Sequence, residues 1–320
     1  MKIAILDDYQ DAVRNLACFS LLQQQEVIIL NQTEKDSDVL AEKIKDIEAL
    51  VLIRERTAIT DDLLSKLPNL KLISQTGKIS NHLDLNACTK YKVAVAEGVG
   101  SPVAPAELTW LLLMNVLRQV PNAIEGMKKG EWQVNIGESV NGKIIGIWGY
   151  GKIGKIIAGY AKAFGAKVLV WGSEQSRANA VSDGFGAAGS KADFFKTADV
   201  VSLHLRLNNE TTGIVTAADL NLMKSSSVLI NTSRAELIEK GSLVKALKIG
   251  RPGFAGVDVY ESEPVYDVDF ELLNMPNVVC TPHLGYVEKN SYELYFSKAF
   301  ENIINYINGK PTNIANPEIL

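Results

Sequence analysis

The sequence predicts an α/β protein made of two doubly wound parallel-sheet domains, and three observations carry that prediction. Short β-branched or leucine-rich runs alternate with segments of helical apolar spacing along most of the chain. That is the pattern of βαβ units whose sheet is covered on both faces. One such run, Ile144–Trp148, leads into the glycine turn Gly149-Tyr150-Gly151-Lys152-Ile153-Gly154, which opens a helical pattern. The length, 320 residues, suits two cores better than one.

The first domain is expected over residues 1–99. Its strands are predicted at Ile3–Leu6, Val27–Leu30, Leu50–Ile53, Leu70–Ser74 and Val93–Ala96, with helical spacing between them (Val39, Ile44 and Ile47, or Leu63, Leu64 and Leu67). A long helix is expected over Ser101–Gln119, with Ser101 as its N-cap, Pro102 at the first helical position and Pro121 as its break. The second domain, residues 100–285, is expected to hold six strands: Ile144–Trp148, Lys167–Trp171, Val200–Leu203, Val228–Asn231, Gly253–Tyr260 and Val278–Cys280. A last helical pattern, Ser291–Ile307, has no strand after it and needs a surface to bury its aromatic face. It is predicted to return to the first domain, adding 286–320 to that domain and making it discontinuous.

The glycine turn has the context that gives it meaning, a strand before and a helix after. The first glycine permits the tight turn, and the second lets backbone approach a pyrophosphate. The third lets helix and strand pack closely, with the helix N-terminus facing the anion. A plain loop is the bland alternative, and the flanking strand and helix argue against it.

In open α/β sheets ligands bind beyond the carboxyl ends of the strands. Three predicted strands of the second domain run into ionisable groups there. Val228–Asn231 is followed by Thr232-Ser233-Arg234, Ala255–Tyr260 by Glu261-Ser262-Glu263-Pro264, and Val278–Cys280 by Thr281-Pro282-His283. A guanidinium forks onto a carboxylate or carbonyl oxygen. An imidazole moves a hydroxyl proton, and a carboxylate orients it and favours its charged form. Together they suit reduction of a 2-oxo acid. Taken singly, each has an ordinary structural reading: a solvated arginine, a loop carboxylate, a capped loop imidazole. His82 reads as structural, Cys280 as a buried strand residue and the aromatic residues of the last helix as core.

These blocks (Asn231-Thr232-Ser233-Arg234, Asp258-Val259-Tyr260-Glu261-Ser262-Glu263-Pro264 and Thr281-Pro282-His283-Leu284-Gly285), in this order after the glycine turn, resemble the signatures of the D-isomer-specific 2-hydroxyacid dehydrogenases. The resemblance covers essentially the whole chain. It implies a Rossmann-type cofactor domain and a smaller flavodoxin-like substrate domain, with hydride passing between a nicotinamide and the substrate C2. It implies Arg234, Glu263 and His283 as the catalytic set, and places Thr232, Asp258, Trp171 and His204 beside the cofactor with the glycine turn. It makes Thr76-Gly77-Lys78-Ile79 the loop whose backbone N–H groups hold the substrate carboxylate. It also implies a homodimer formed chiefly through residues 100 to 140. A glyoxylate, hydroxypyruvate or phosphoglycerate-type substrate follows. The chain leaves no room after its last helix for a further regulatory domain, and formate dehydrogenase is disfavoured because Glu263 stands where that branch has glutamine. A dinucleotide sensor of the corepressor type, with little turnover, is the alternative.

The pattern departs from its relatives in two places. The strand-end acid that bonds the ribose hydroxyls of NAD is replaced by Gly172, followed by Ser173, Glu174 and Arg177, and Arg206 stands where proline is usual. Glu174 favours NAD, whereas Ser173, Arg177 and Arg206 favour NADP; the choice stays open as NAD(P). Arg54, Arg56 and Lys78 in the first domain offer cations to the far end of an anionic substrate, with Arg56 the candidate contact and pairing to Glu55 or Asp61 the alternative. Hinges are expected near Val99–Ser101 and Leu284–Val287.

Composition narrows the partners. Net charge is -4 with no basic block, which argues against nucleic acid. The three cysteines, Cys18, Cys88 and Cys280, are scattered, with neither metal-ligand spacing nor a disulfide framework. No apolar run approaches the ~18 residues of a membrane span. With a strand at the N-terminus in place of a signal peptide, a cytoplasmic protein acting on a small molecule is expected.

Overall fold

The computed structural model describes residues 1–320, which divide into two compact units: Met1–Ser101 with Glu288–Leu320, and Pro102–Val287. The first unit holds β1 (Lys2–Ile5), β2 (Glu26–Ile29), α1 (Ser37–Ile44), β3 (Ala49–Leu52), α2 (Asp61–Ser65), β4 (Leu72–Gln75), α3 (Leu85–Lys90) and β5 (Ala94–Ala96). All neighbouring strands are parallel, in the order β2-β1-β3-β4-β5, the flavodoxin-like arrangement. Ala4, Leu50, Leu52, Ile73 and Val95 bury one face of this sheet under α1–α3.

The second unit opens with α4 (Val103–Arg118) and α5 (Val120–Lys128). It continues with β6 (Ile144–Trp148), α6 (Lys152–Ala163), β7 (Lys167–Trp171), α7 (Glu174–Ser182), β8 (Gly186–Ala187), α8 (Lys191–Thr197) and β9 (Val200–Leu203). It closes with α9 (Ala217–Leu222), β10 (Val228–Asn231), α10 (Ser242–Ile249), β11 (Phe254–Val257) and β12 (Val278–Cys280). The strand order is β12-β11-β10-β9-β6-β7-β8, all parallel, so the chain reverses direction across the sheet between β6 and β9. Successive strand residues point to opposite faces and both faces are covered. Ile145, Ile147, Val200, Val228 and Ile230 enter one apolar layer, and Val201, Leu203, Leu229 and Val257 the other. That is why these strands read as unbroken apolar runs.

Helix α11 (Lys289–Ile307) belongs to the first unit. Tyr292, Tyr295, Phe296, Ala299, Phe300 and Ile303 form its buried stripe at helical spacing. Its backbone accepts a hydrogen bond from Ser74 of β4 at Ala299, and the Glu293 carboxylate accepts from the amides of Ala17 and Cys18.

Four expectations are corrected. The second sheet has seven strands, because the two-residue β8 pairs with β7 and is too short to show any periodicity. The strand expected over Gly253–Tyr260 ends at Val257, where the chain turns to place Asp258 and Glu263. Helix α4 starts at Val103 with Pro102 as a cap that bonds through no side chain. It ends because Gln119 adopts a left-handed conformation, and Pro121 sits in the first turn of α5. Cys280 is half-buried. No helix is long and apolar enough to cross a membrane.

Candidate active site

The carboxyl edge of the seven-stranded sheet gathers the titratable residues. Arg234, Glu263 and His283 follow β10, β11 and β12, three adjacent strands. Neighbouring strands lie ~4.8 Å apart, so strand order alone brings the three loops together. His283 Nδ1 lies 2.6 Å from Glu263 Oε2. Glu263 Oε1 in turn accepts from the Tyr260 amide at 2.9 Å, so the carboxylate is held at both oxygens. A carboxylate accepts, so Nδ1 carries the proton and Nε2 is left to exchange one. The imidazole and the Tyr286 ring pack in a T-shaped pair, 5.4 Å between centroids.

His283 itself is held in the left-handed region, φ 52°, a conformation that costs a non-glycine residue energy and needs external support. Asp258 supplies it. Fully buried, it accepts from the Thr281 hydroxyl at 2.6 Å and from the amides of Leu284 and Gly285 at 2.7 and 2.9 Å. Burial raises the Asp258 pKa above its ordinary value, against the pull of these hydrogen bonds. Sequence reading placed Asp258 beside the cofactor; the structure shows its carboxylate tied to the 281–285 loop. Tyr260 adds a second tie, its hydroxyl donating to the Thr281 carbonyl at 2.9 Å. Sequence reasoning gave Tyr260 and Tyr286 no role, and their only signal is proximity in sequence to Glu263 and His283.

Arg234 is half-buried, its Nη1 donating to the carbonyl of Ser233 and its own carbonyl accepting from Asn231 Nδ2 at 2.8 Å. Thr232 Oγ1 pairs with Thr109 Oγ1 at 2.7 Å.

The glycine turn lies at the switch point of the sheet, between β6 and β9. Gly149 has φ 104°, and a Cβ there would fall 2.5 Å from the His204 carbonyl oxygen. A Cβ on Gly154 would fall 2.1 Å from the Gly149 carbonyl, whereas one on Gly151 would meet nothing within 4 Å. Two glycines therefore serve the fold and the third faces open space. Helix α6 begins beyond Gly151 with no side-chain cap, which leaves its first amides to an outside acceptor. Tyr150, by contrast, is buried, its hydroxyl donating to Asp183 at 3.0 Å. Lys152 and Ile153 form the first turn of α6. An open cradle before an uncapped helix at a switch point fits a dinucleotide pyrophosphate. His204 lies just past β9, its Nε2 2.8 Å from Ser202 Oγ and its Nδ1 buried without a partner; burial lowers its pKa to about 4. Arg206 is exposed two residues on.

The carboxyl edge of the five-stranded sheet is built differently. After β4, the expected substrate loop presents fewer amides than its length suggests. The Thr76 amide donates to the Leu52 carbonyl and the Ile79 amide to Glu97 Oε1 at 3.1 Å. Of the loop Thr76–Ile79, the N–H groups of Gly77 and Lys78 are the ones left for a carboxylate. Lys78 Nζ pairs with Glu97 Oε2 at 2.6 Å. Glu97, just past β5, went unnoticed in the sequence because no motif surrounds it. Arg54 lies over the loop, its Nη1 2.1 Å from where a Cβ on Gly77 would sit. Arg56 stacks over the Tyr9 ring at 4.3 Å and donates to the Asp7 carbonyl.

Comparison with known proteins agrees with this layout. Residues 110–285 match the model of the D-isomer specific 2-hydroxyacid dehydrogenase NAD binding domain. The chain is 34% identical over 300 residues to a glyoxylate reductase of Thermococcus litoralis, covering 88% of this chain and 87% of that one. It is 54% identical to a phosphoglycerate oxidoreductase of known structure from Vibrio cholerae, at a TM-score of 0.94, covering 97% of this chain and 99% of that one. An oxidoreductase structure from Ralstonia solanacearum, assigned provisionally as a D-3-phosphoglycerate dehydrogenase, is 52% identical at a TM-score of 0.97, covering 100% and 98%. With this fold and these relatives, the chain belongs to the D-isomer specific 2-hydroxyacid dehydrogenase family.

Proposed function

We propose that this NAD(P)-dependent oxidoreductase interconverts a small D-2-hydroxy acid and its 2-oxo acid, with His283 as the acid/base and Arg234 and Glu263 as its partners. The observation that carries the assignment is the 2.6 Å contact between His283 Nδ1 and Glu263 Oε2. A carboxylate on one imidazole nitrogen fixes the tautomer and the ring's orientation, so Nε2 gives its proton to the carbonyl oxygen as the substrate is reduced and takes it back in the reverse direction. A sensor of cofactor occupancy has no need of such a device. The bound dinucleotide supplies or accepts the hydride at substrate C2. Gly149–Gly154 hold its pyrophosphate against the amides of α6, with Trp171, Gly172, Ser173, Thr232, His204 and Arg206 lining the remainder. Arg234 forks onto the substrate carboxylate and carbonyl oxygens.

In the first unit, the amides of Gly77 and Lys78 receive the substrate carboxylate, and Arg56 reads its far end. The stack on Tyr9 and the bond to Asp7 fix that guanidinium in advance, which lowers the entropy cost of binding. Glyoxylate, hydroxypyruvate and phosphohydroxypyruvate are the substrates to test, with NADH and NADPH, following absorbance at 340 nm. Turnover with at least one is expected. No turnover with any of them, despite nucleotide binding, overturns the assignment. If Arg56→Ala leaves every KM unchanged, the role of Arg56 falls.

The protein works as a homodimer through residues 100–140. This segment exposes Leu111, Ile124, Met127, Trp132 and Ile136, the last at 93%. A monomeric mass in solution counts against that. Its free cysteines fit the reducing cytoplasm.

A further inference from the structure

We propose that the cofactor is the 2′-phosphorylated dinucleotide, and that Arg177, stacked on Trp171, is the residue that selects it. The inference rests on the reading of the seven-stranded unit as the dinucleotide site and decides what that reading leaves open.

Three features at the end of β7 support it. First, the acid that would bond unphosphorylated ribose is missing for a structural reason. Gly172 has φ 150°, a backbone conformation that side-chain-bearing residues rarely adopt, and a Cβ there would fall 3.3 Å from Ser176 Cβ. A side chain at Gly172 would therefore strain the backbone and press on the first turn of α7. Second, the position adjoins the cofactor turn, since the Gly149 amide donates to the Trp171 carbonyl at 3.1 Å. Third, Arg177 lies one turn into α7 and folds back over the Trp171 ring, its Cζ 4.8 Å from the centroid. Its Nε is buried without an acceptor, and no carboxylate pairs with the guanidinium. Stacking holds the planar fork in place while its donors stay unspent. Ser173, the N-cap of α7, adds a hydroxyl on the same turn.

A phosphate with charge near -2 supplies what this arrangement lacks, and Arg binds phosphate through paired, charge-assisted bonds. Glu174, at the first position of α7, is the one carboxylate of this turn; it is exposed, and it opposes such a charge. If Glu174 instead bonded the ribose hydroxyls, the unphosphorylated dinucleotide would bind more tightly.

The test is equilibrium binding by calorimetry on the intact protein, without substrate, with 2′,5′-ADP against 5′-AMP and NADPH against NADH. The 2′-phosphorylated member of each pair is expected to bind at least about tenfold more tightly, the value of one good charge-assisted pair. Arg177→Ala removes that preference and leaves 5′-AMP binding within about twofold. Arg177→Lys restores part of it, because the charge remains while the fork and the stack are lost. Raising the salt weakens the 2′-phosphorylated ligands more than their unphosphorylated partners. Equal affinity within each pair, or an Arg177→Ala loss that falls equally on both members, overturns the inference and leaves the dehydrogenase assignment standing. Failure of all four ligands to bind takes down both the inference and the reading of the glycine turn.

Discussion

The two sheets share a plan and load their working edges differently. Both are wholly parallel and both end their strands in loops that carry polar side chains. The five-stranded sheet offers fixed donors there: two unspent amides at Gly77 and Lys78, and the guanidinium groups of Arg54 and Arg56, one of them clamped against Tyr9. The seven-stranded sheet offers a proton that can move, on an imidazole backed by a carboxylate. The first edge is thus built from fixed donors, and the second around a proton shared between two side chains. A fixed donor set needs only shape, whereas a proton-transfer pair needs a loop strained into place and a buried acid to keep it there.

The largest effect should come from breaking the mobile proton. His283→Ala is expected to lower kcat about 10³-fold, and Glu263→Gln about tenfold or more, with the Tm of each nearly unchanged because both groups are half-buried. Steady-state kinetics on the best 2-oxo acid measure this. If Arg56→Ala lowered kcat as severely, the contrast between fixed donors and a mobile proton would be wrong.

Two glycines sharpen the contrast. In Gly154→Ala the new Cβ would fall 2.1 Å from the Gly149 carbonyl, backbone that cannot swing away. A stability loss of about 1–3 kcal/mol and loss of nucleotide binding are expected, read by thermal melts and calorimetry. In Gly77→Ala the Cβ meets the tip of Arg54 at the same distance, and a flexible side chain can move. There the fold should survive within about 1 kcal/mol while the KM of the 2-oxo acid rises several-fold. A Gly77→Ala protein that melts as early as Gly154→Ala would show the first edge to be as rigid as the second.

Next in size is a pH effect confined to the second sheet. Burial holds the His204 pKa at about 4, against an ordinary 6.5. Between those values the unfolded chain binds a proton that the native one refuses, so stability is complete above pH 6.5 and declines as pH falls toward 4. The decline should reach ~1–3 kcal/mol. Urea melts at pH 7 and pH 5 should show it in the parent, and a smaller difference in His204→Asn. Equal differences would mean that other groups cause the slope.

The smallest effect concerns the cysteines. Burial raises the Cys18 and Cys88 thiols to about 12, so neither forms thiolate near neutrality. Native protein should leave both unreacted with a disulfide reagent for an hour at pH 8, with labelling only after denaturation.

Sequence alone determined the elements and their roles where a local rule applies. Alternation of apolar runs with helical spacing yields βαβ units, and glycine between strand and helix marks a switch-point turn. Ionisable residues after Asn231, Val257 and Cys280 mark a working edge, because parallel strands all end on one side. Helix ends near Pro102 and Gln119 follow no such local rule, since a proline can cap, start or follow a helix, and a left-handed residue other than glycine leaves no signature. Only the tertiary structure decided which donors remain available. Glu97 takes the amide of Ile79, Asp258 turns inward to hold His283 at φ 52°, Gly172 takes a backbone angle that disfavours a side chain at the end of β7, and Trp171 fixes Arg177. Each of these is a contact between residues distant in sequence or on neighbouring elements, or a backbone angle such contacts impose. Free energy at that level is set by distance and burial, which no order of letters displays.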